Sequence, residues 1–130
     1  MIKFAYTILY VADVEKSISF YERAFSFKRK FVAPDNSYGE LDTGSVTLSF
    51  ASITLAKSNL KDGFIQSSAK SKPFAIEIAF ATEDVDGVYH KAIKAGAVSE
   101  ATAQFKPQGQ TVAYVRDPDG FLIEICTPMD

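Results

Sequence analysis

The sequence predicts an α+β fold made of two consecutive β-α-β-β-β modules. Three observations carry that reading. Residues 6–25, "YTILYVADVEKSISFYERAF", are similar to residues 77–96, "EIAFATEDVDGVYHKAIKAG", so the chain holds an internal repeat. Each copy passes from β-branched and aromatic residues, through an Asp-Val step, into apolar residues at helical spacing. Each is then followed by three strand-like stretches bounded by turn residues.

The elements follow in order. The first strand is "YTILYV", and Asp13 caps the helix behind it, its carboxylate accepting from an orphan backbone N–H. Val14, Ile18, Tyr21 and Phe25 fall at steps of four, three and four, so they share one helix face. Ser26 stands where a glycine would end this helix better. Strand material follows in "FKRKFVA", "YGELDT" and "SVTLSFAS". In the second copy Asp84 takes the place of Asp13, and Val85, Tyr89, Ala92 and Gly96 repeat the helical face, with Gly96 suited to the left-handed stop. "VSEATAQF", "GQTVAYVR" and "FLIEICT" complete the module. Asp117-Pro118-Asp119-Gly120 is a strong hairpin signal, with Pro at a φ near −65° and Gly at a positive φ. Module one spans residues 1–53 and module two 74–130. Residues 54–73, rich in Ser, Lys, Asn, Asp and Gly, read as a linker with room for one short helical turn. The linker is either a solvated connection or a mobile edge over a pocket.

The chain has 130 residues, enough for one domain or two small modules, with 47% apolar and 23% charged residues. Eleven Phe and six Tyr with no Trp supply aromatic surface for a core and a pocket. The net charge of −2, without a basic stripe, argues against a nucleic-acid partner. Cys126 is the single cysteine, which excludes an intrachain disulfide and a CxxC metal pair. No apolar run approaches the roughly 20 residues that span a bilayer, and the chain begins directly in a strand pattern. The expectation is a cytoplasmic protein with a reduced thiol and no membrane partner.

One residue resists this apolar pattern. Glu124 lies inside "FLIEIC", between Ile123 and Ile125, and a buried carboxylate is costly unless something pairs with it. Alternation places Leu122, Glu124 and Cys126 on one face of the last strand, with Ile123 and Ile125 beneath the helix. On the fifth strand Glu77, Ala79 and Ala81 share a face. Glu77 and Glu124 in proximity would hold one proton between them, because like charges in a poorly solvated site raise one pKa. Such a pair is a general acid or base, or a neutral hydrogen-bonding lock. There is no GxSxG elbow, no His beside Cys126, and no glycine-rich phosphate loop.

"YTILYVADVEKSISFYERAF", "ELDTGSVTLSF", "IEIAFATEDVDGVYHKAIKAGA" and "YVRDPDGFLIEI" together resemble the vicinal oxygen chelate superfamily, which includes glyoxalase I, bleomycin resistance proteins and extradiol dioxygenases. The resemblance implies paired βαβββ modules whose sheets curl around a cleft, and a homodimer. It also implies four cleft positions, on the first and last strand of each module, which metal-using members fill with His and Glu. Here those positions fall on Tyr6, Glu77, Glu124 and either Leu48 or, with a one-residue bulge, Ser49. His90, the one histidine, falls on the second helix instead.

Two carboxylates can hold a hard cation such as Mg²⁺ or Mn²⁺ with water completing the shell, whereas Zn²⁺, Ni²⁺ and Fe²⁺ want imidazole or thiolate. The expectation is therefore no metal cofactor, with Glu77 and Glu124 as ligands of a divalent ion in the alternative. The expected ligand-binding set is Tyr6, Ile8, Tyr10, Leu48, Phe50, Glu77 and Glu124, an aromatic surface with a few polar groups. The first functional reading is a metal-independent protein of the bleomycin-resistance type, sequestering a small aromatic or cationic molecule, as in antibiotic resistance. The second is a lyase, isomerase or dioxygenase with a carboxylate-rich metal site, for which Glu77 and Glu124 are also the catalytic candidates. The third is an accessory domain with a closed cleft. Glu124 itself stands open between a ligand-gripping group and a structural lock bonded to Tyr6 or to backbone N–H groups.

Overall fold

A computed structural model describes residues 1–129. Its elements are β1 (Tyr6–Val11), α1 (Val14–Phe25), β2 (Lys28–Val32), β3 (Tyr38–Asp42), β4 (Thr47–Ser52), α2 (Ile53–Asn59), β5 (Ile78–Ala81), α3 (Val85–Ala95), β6 (Val98–Phe105), β7 (Thr111–Arg116) and β8 (Leu122–Cys126). The fold is α+β, with the βαβββ module used twice. One four-stranded sheet has the order β1-β4-β3-β2 and the other β5-β8-β7-β6. In each, the first and last strands of the module pair in parallel and the remaining pairs are antiparallel. Neither sheet closes on itself. The chain divides into two compact units, residues 1–22 with 26–66, and residues 23–25 with 67–129.

In the first unit Asp13 caps α1, accepting from the Lys16 amide at 3.2 Å and from the Asn36 side chain at 3.0 Å. Val14, Ile18 and Tyr21 are buried as the helical spacing predicts. They pack on the sheet face that carries Leu9, Leu41, Leu48 and Phe50, and the rings of Tyr21 and Phe50 lie 5.2 Å apart. Gly39 is where helix and sheet come closest: a Cβ there would stand 2.5 Å from the Ile18 side chain. Arg29 ties β2 to α1 through Glu22 at 2.9 Å and Glu15 at 2.5 Å, and the two carboxylates raise its pKa further. Ser26 ends α1 in the left-handed region, at φ 59°.

The second unit repeats this plan. Asp84 caps α3 through the Gly87 amide at 3.0 Å, and Val85, Tyr89 and Ala92 are buried with Ala113, Val115, Ile123 and Ile125. The Tyr89 hydroxyl donates to Ser99 at 2.6 Å, which satisfies the polar end of a buried ring. In the Asp117–Gly120 turn, buried Asp117 accepts from the amides of Asp119 and Phe121, both at 2.9 Å, and Gly120 has φ 93°.

The linker differs from expectation. Residues 53–59 form a helix, not a single turn, because Ser52 caps it through the Leu55 amide at 3.1 Å and Ala56 is buried. Residues 68–71 are pinned rather than freely solvated. Buried Arg116 donates to the carbonyls of Ser68 at 2.9 Å and Ser71 at 2.8 Å, to Gly120 at 2.6 Å, and to the Glu100 carboxylate at 3.1 Å. A guanidinium has five donors, and here four contacts hold it in place.

Candidate functional site

The register of the second sheet assembles the polar group. Asp117 and Phe121 close the hairpin, which places Arg116 opposite Leu122 and Tyr114 opposite Glu124. Glu124 in turn pairs with Ala79, and Ala81 pairs with Cys126. Side chains of paired residues point to the same face. Tyr114, Glu124, Cys126, Ala79 and Ala81 therefore share the face turned away from α3, while Ile123, Ile125, Val115 and Ala113 fill the other.

Glu124 is half-buried and partnered. The Tyr114 hydroxyl donates to its Oε1 at 2.7 Å. Glu77, one residue before β5 and two before Ala79, stands near enough for the two carboxyls to act on each other electrostatically. Much of Glu77 is exposed, yet its carboxyl end is desolvated where it meets Glu124. That burial and the Glu124 charge push the Glu77 carboxyl above the usual glutamate range. The hydrogen bond to Glu124 and burial raise the Tyr114 phenol to about 12, and burial followed by Glu124 raises the buried Cys126 thiol to about 11. Glu77, Tyr114 and Cys126, gathered around Glu124, are thus all shifted toward keeping their protons. The hydrogen bond that Glu124 accepts comes from Tyr114, a partner that the sequence did not reveal. Counting outward from the "DPDG" turn finds it, since 116 faces 122 and 114 faces 124.

In the first sheet the corresponding face is set by β1 and β4. Tyr6 pairs with Thr47, Ile8 with Ser49 and Tyr10 with Ala51. Tyr6 and Ile8 are exposed, at 52% and 44%. Tyr10 is half-buried, its ring 4.9 Å from that of Phe64. Leu48 and Phe50 require a correction. They lie on the opposite face and are 4% and 0% exposed, because they pack beneath α1. The residue beside Ile8 is Ser49, as the one-residue bulge alternative has it.

The residues present do not fit a transition metal. Among the described residues no group of three or more His, Cys, Asp or Glu side chains stands together as a metal site. In the second unit Glu77 and Glu124 have no imidazole beside them, Glu124 accepts from Tyr114, and burial lifts the Cys126 thiol to about 11. In the first unit the corresponding places hold a phenol and a hydroxyl. His90 is exposed on α3, 3.5 Å from Asp86 one helical turn away. Among the described residues no helix is long and apolar enough to cross a membrane.

Comparison with known proteins gives one family match. A model of the Glyoxalase/Bleomycin resistance protein/Dioxygenase superfamily matches residues 3–125. No curated protein matches the chain. Similar solved structures include a glyoxalase-related enzyme from Fulvimarina pelagi, with TM-score 0.82 at 20% identity, covering 98% of this chain and 89% of that one. A hypothetical protein from S. aureus gives 0.81 at 24% identity, covering 98% and 95%. TioX from Micromonospora sp. ML1 gives 0.73 at 20% identity, covering 98% and 99%. At these identities the likeness speaks for the fold.

Proposed function

We infer, since this chain belongs to the glyoxalase/bleomycin resistance protein/dioxygenase superfamily, that it is a small-molecule-binding protein in which Glu77 and Glu124 grip the ligand without a metal. The observation that carries this reading is Glu124, held by Tyr114 on the sheet face turned away from the apolar core, with Glu77 near enough for its carboxyl to be raised by the Glu124 charge. A carboxylate kept ready beside a carboxyl that can lose its proton is suited to a cationic or hydrogen-bond-donating group. The neighbouring Tyr114 ring offers a flat surface to an aromatic part of the same ligand. Sequestration of a drug or metabolite by a cytoplasmic homodimer is the form that this function takes.

One observation favours a second reading. Two neighbouring carboxylates are a partial site for Mg²⁺ or Mn²⁺, whose shells accept water in the remaining places. A lyase, isomerase or dioxygenase with a carboxylate-rich centre would use them so. The test is a thermal-shift screen of aromatic amines and other cationic aromatics, run with a chelator present, followed by calorimetric titration of the best hit. Wild-type protein is expected to bind with chelator, and Glu124→Gln to bind about tenfold more weakly or worse. Binding that appears only with an added divalent ion would replace this reading with the enzymatic one.

A further inference from the structure

Just after α2 the chain turns a single side chain inward. Of residues 60–66, all within the first unit, every one is exposed except Phe64, which is half-buried. Residues 61–66 belong to no helix or strand. Their near end is fixed. The Leu60 amide closes α2 on the Ala56 carbonyl at 3.1 Å, and the Gly63 amide returns to the Leu60 carbonyl at 2.9 Å. Gly63 makes this turn at φ 78°, in the left-handed region, with open space where a Cβ would stand. The chain is fixed again from Ser68 onward, where the Arg116 guanidinium of the second unit holds the Ser68 and Ser71 carbonyls.

Phe64 meets Tyr10. The ring centroids lie 4.9 Å apart with the planes tilted by 60°. Tyr10 pairs with Ala51 near the end of β1 and shares the face of Tyr6 and Ile8. Tyr6 and Ile8 are 52% and 44% exposed, whereas Tyr10 is half-buried, and the difference falls where Phe64 lies. The next residue, Ile65, is left 82% exposed. A ring pair of this kind favours contact by a factor of roughly two to ten beyond the area it buries. That holds the covered state without locking it, in a segment whose other side chains stand in water.

We propose that residues 61–66 are a strap that covers Tyr10 with the ring of Phe64 and swings about the Gly63 turn to uncover it. In the covered state Phe64 takes the place on Tyr10 that an aromatic molecule would take, so the chain carries its own competitor. An aromatic molecule enters by displacing Phe64, and its apparent affinity is lowered in proportion to the fraction of molecules that are uncovered. The strap stands on the geometry of the first unit alone. Its consequence for ligands rests on the reading of Tyr10 as part of the binding face.

Access to Tyr10 is measured directly by nitration of the full-length protein with tetranitromethane, the rate at each tyrosine being read by peptide mass spectrometry. Phe64→Ala is expected to speed nitration of Tyr10 about threefold or more and to leave Tyr38 and Tyr114 as in the parent. Phe64→Leu keeps an apolar cover and is expected to fall between the two. Ile65→Ala, at the exposed neighbouring position, is expected to change nothing. Indole, a flat neutral probe, is then titrated into ¹⁵N-labelled protein. Saturable amide shifts are expected at Tyr10 and over residues 61–66, with binding about threefold tighter in Phe64→Ala. Unchanged nitration of Tyr10 in Phe64→Ala overturns the strap, and so does a rise shared equally by Tyr38 and Tyr114, which would mean a loosened fold. Faster nitration of Tyr10 with indole bound no more tightly overturns the competition. Indole that shifts neither Tyr10 nor residues 61–66 overturns the reading of Tyr10 as a ligand residue, while nitration still decides the strap.

Discussion

Glu124 accepts from Tyr114 and acts on the carboxyl of Glu77 and the thiol of Cys126, and the stability of the protein should carry that signature in its pH dependence. The Glu77 carboxyl is raised in the folded state, so the fold prefers Glu77 protonated. This contribution is fully present below the ordinary glutamate pKa and is lost as pH rises through the raised folded value. Urea denaturation from about pH 4 to about pH 8 should show it, spanning the ordinary carboxylate range and the region above it. In Glu124→Gln that decline should flatten, because the charge opposite Glu77 is gone. The thiol gives a second readout. With its pKa raised to about 11, Cys126 should react very slowly with iodoacetamide at neutral pH, and faster in Glu124→Gln, where one of the causes is removed. Rapid labelling of the folded parent would mean that the thiol is neither buried nor held by Glu124. The sequence showed that Glu124 needed a partner, but not that the partner was Tyr114, since the bond depends on pairing across the hairpin.

At the level of elements, the repeat made most of the fold legible. Asp13 and Asp84 cap their helices as the Asp-Val steps predict, and the hairpin at "DPDG" fixes β7 against β8. Less legible was the face presented by β4. Leu48, Ser49, Phe50 and Ala51 are all buried, so burial does not alternate along β4, and the repeat alignment pointed to Leu48 while a one-residue bulge pointed to Ser49. The answer came from pairing with β1 and β3. The order within the linker was less legible for a related reason: composition marks it polar, with room for a short helical turn, while α2 is capped by Ser52 and residues 68–71 are held by Arg116, 45 or more residues away in sequence. Gly120 tests that order. A Cβ there would lie 2.3 Å from the Ser68 carbonyl carbon, at a φ that disfavours side chains, so Gly120→Ala should cost more than about 1 kcal/mol in chemical denaturation. A neutral result would show that residues 68–71 do not pack on the turn.

Across the whole molecule, the two modules keep one topology and diverge in the chemistry of the face opposite the helix. Where β8 carries Glu124, β4 carries Ser49, and where β7 carries Tyr114, β3 carries Glu40. The helix faces, by contrast, stay apolar in both, because burial there leaves no choice. Each sheet also ends on unpaired edges, β1 and β2 in one and β5 and β6 in the other, and Tyr6, Ile8 and Phe31 remain exposed. Edges and apolar surface of this kind favour association, so sedimentation at micromolar concentration is expected to give about twice 14.3 kDa. A mass near one chain would remove the dimer from the account. The central claim concerns the pair of carboxylates, and the most direct measurement is a ¹³C NMR titration of the Glu77 carboxyl, without ligand and then with the best cationic hit from the screen. The account predicts that Glu77 titrates above the ordinary glutamate range when free, and that the bound cation, by favouring the charged form, lowers its pKa. Titration in the ordinary range, unmoved by the cation, would contradict it.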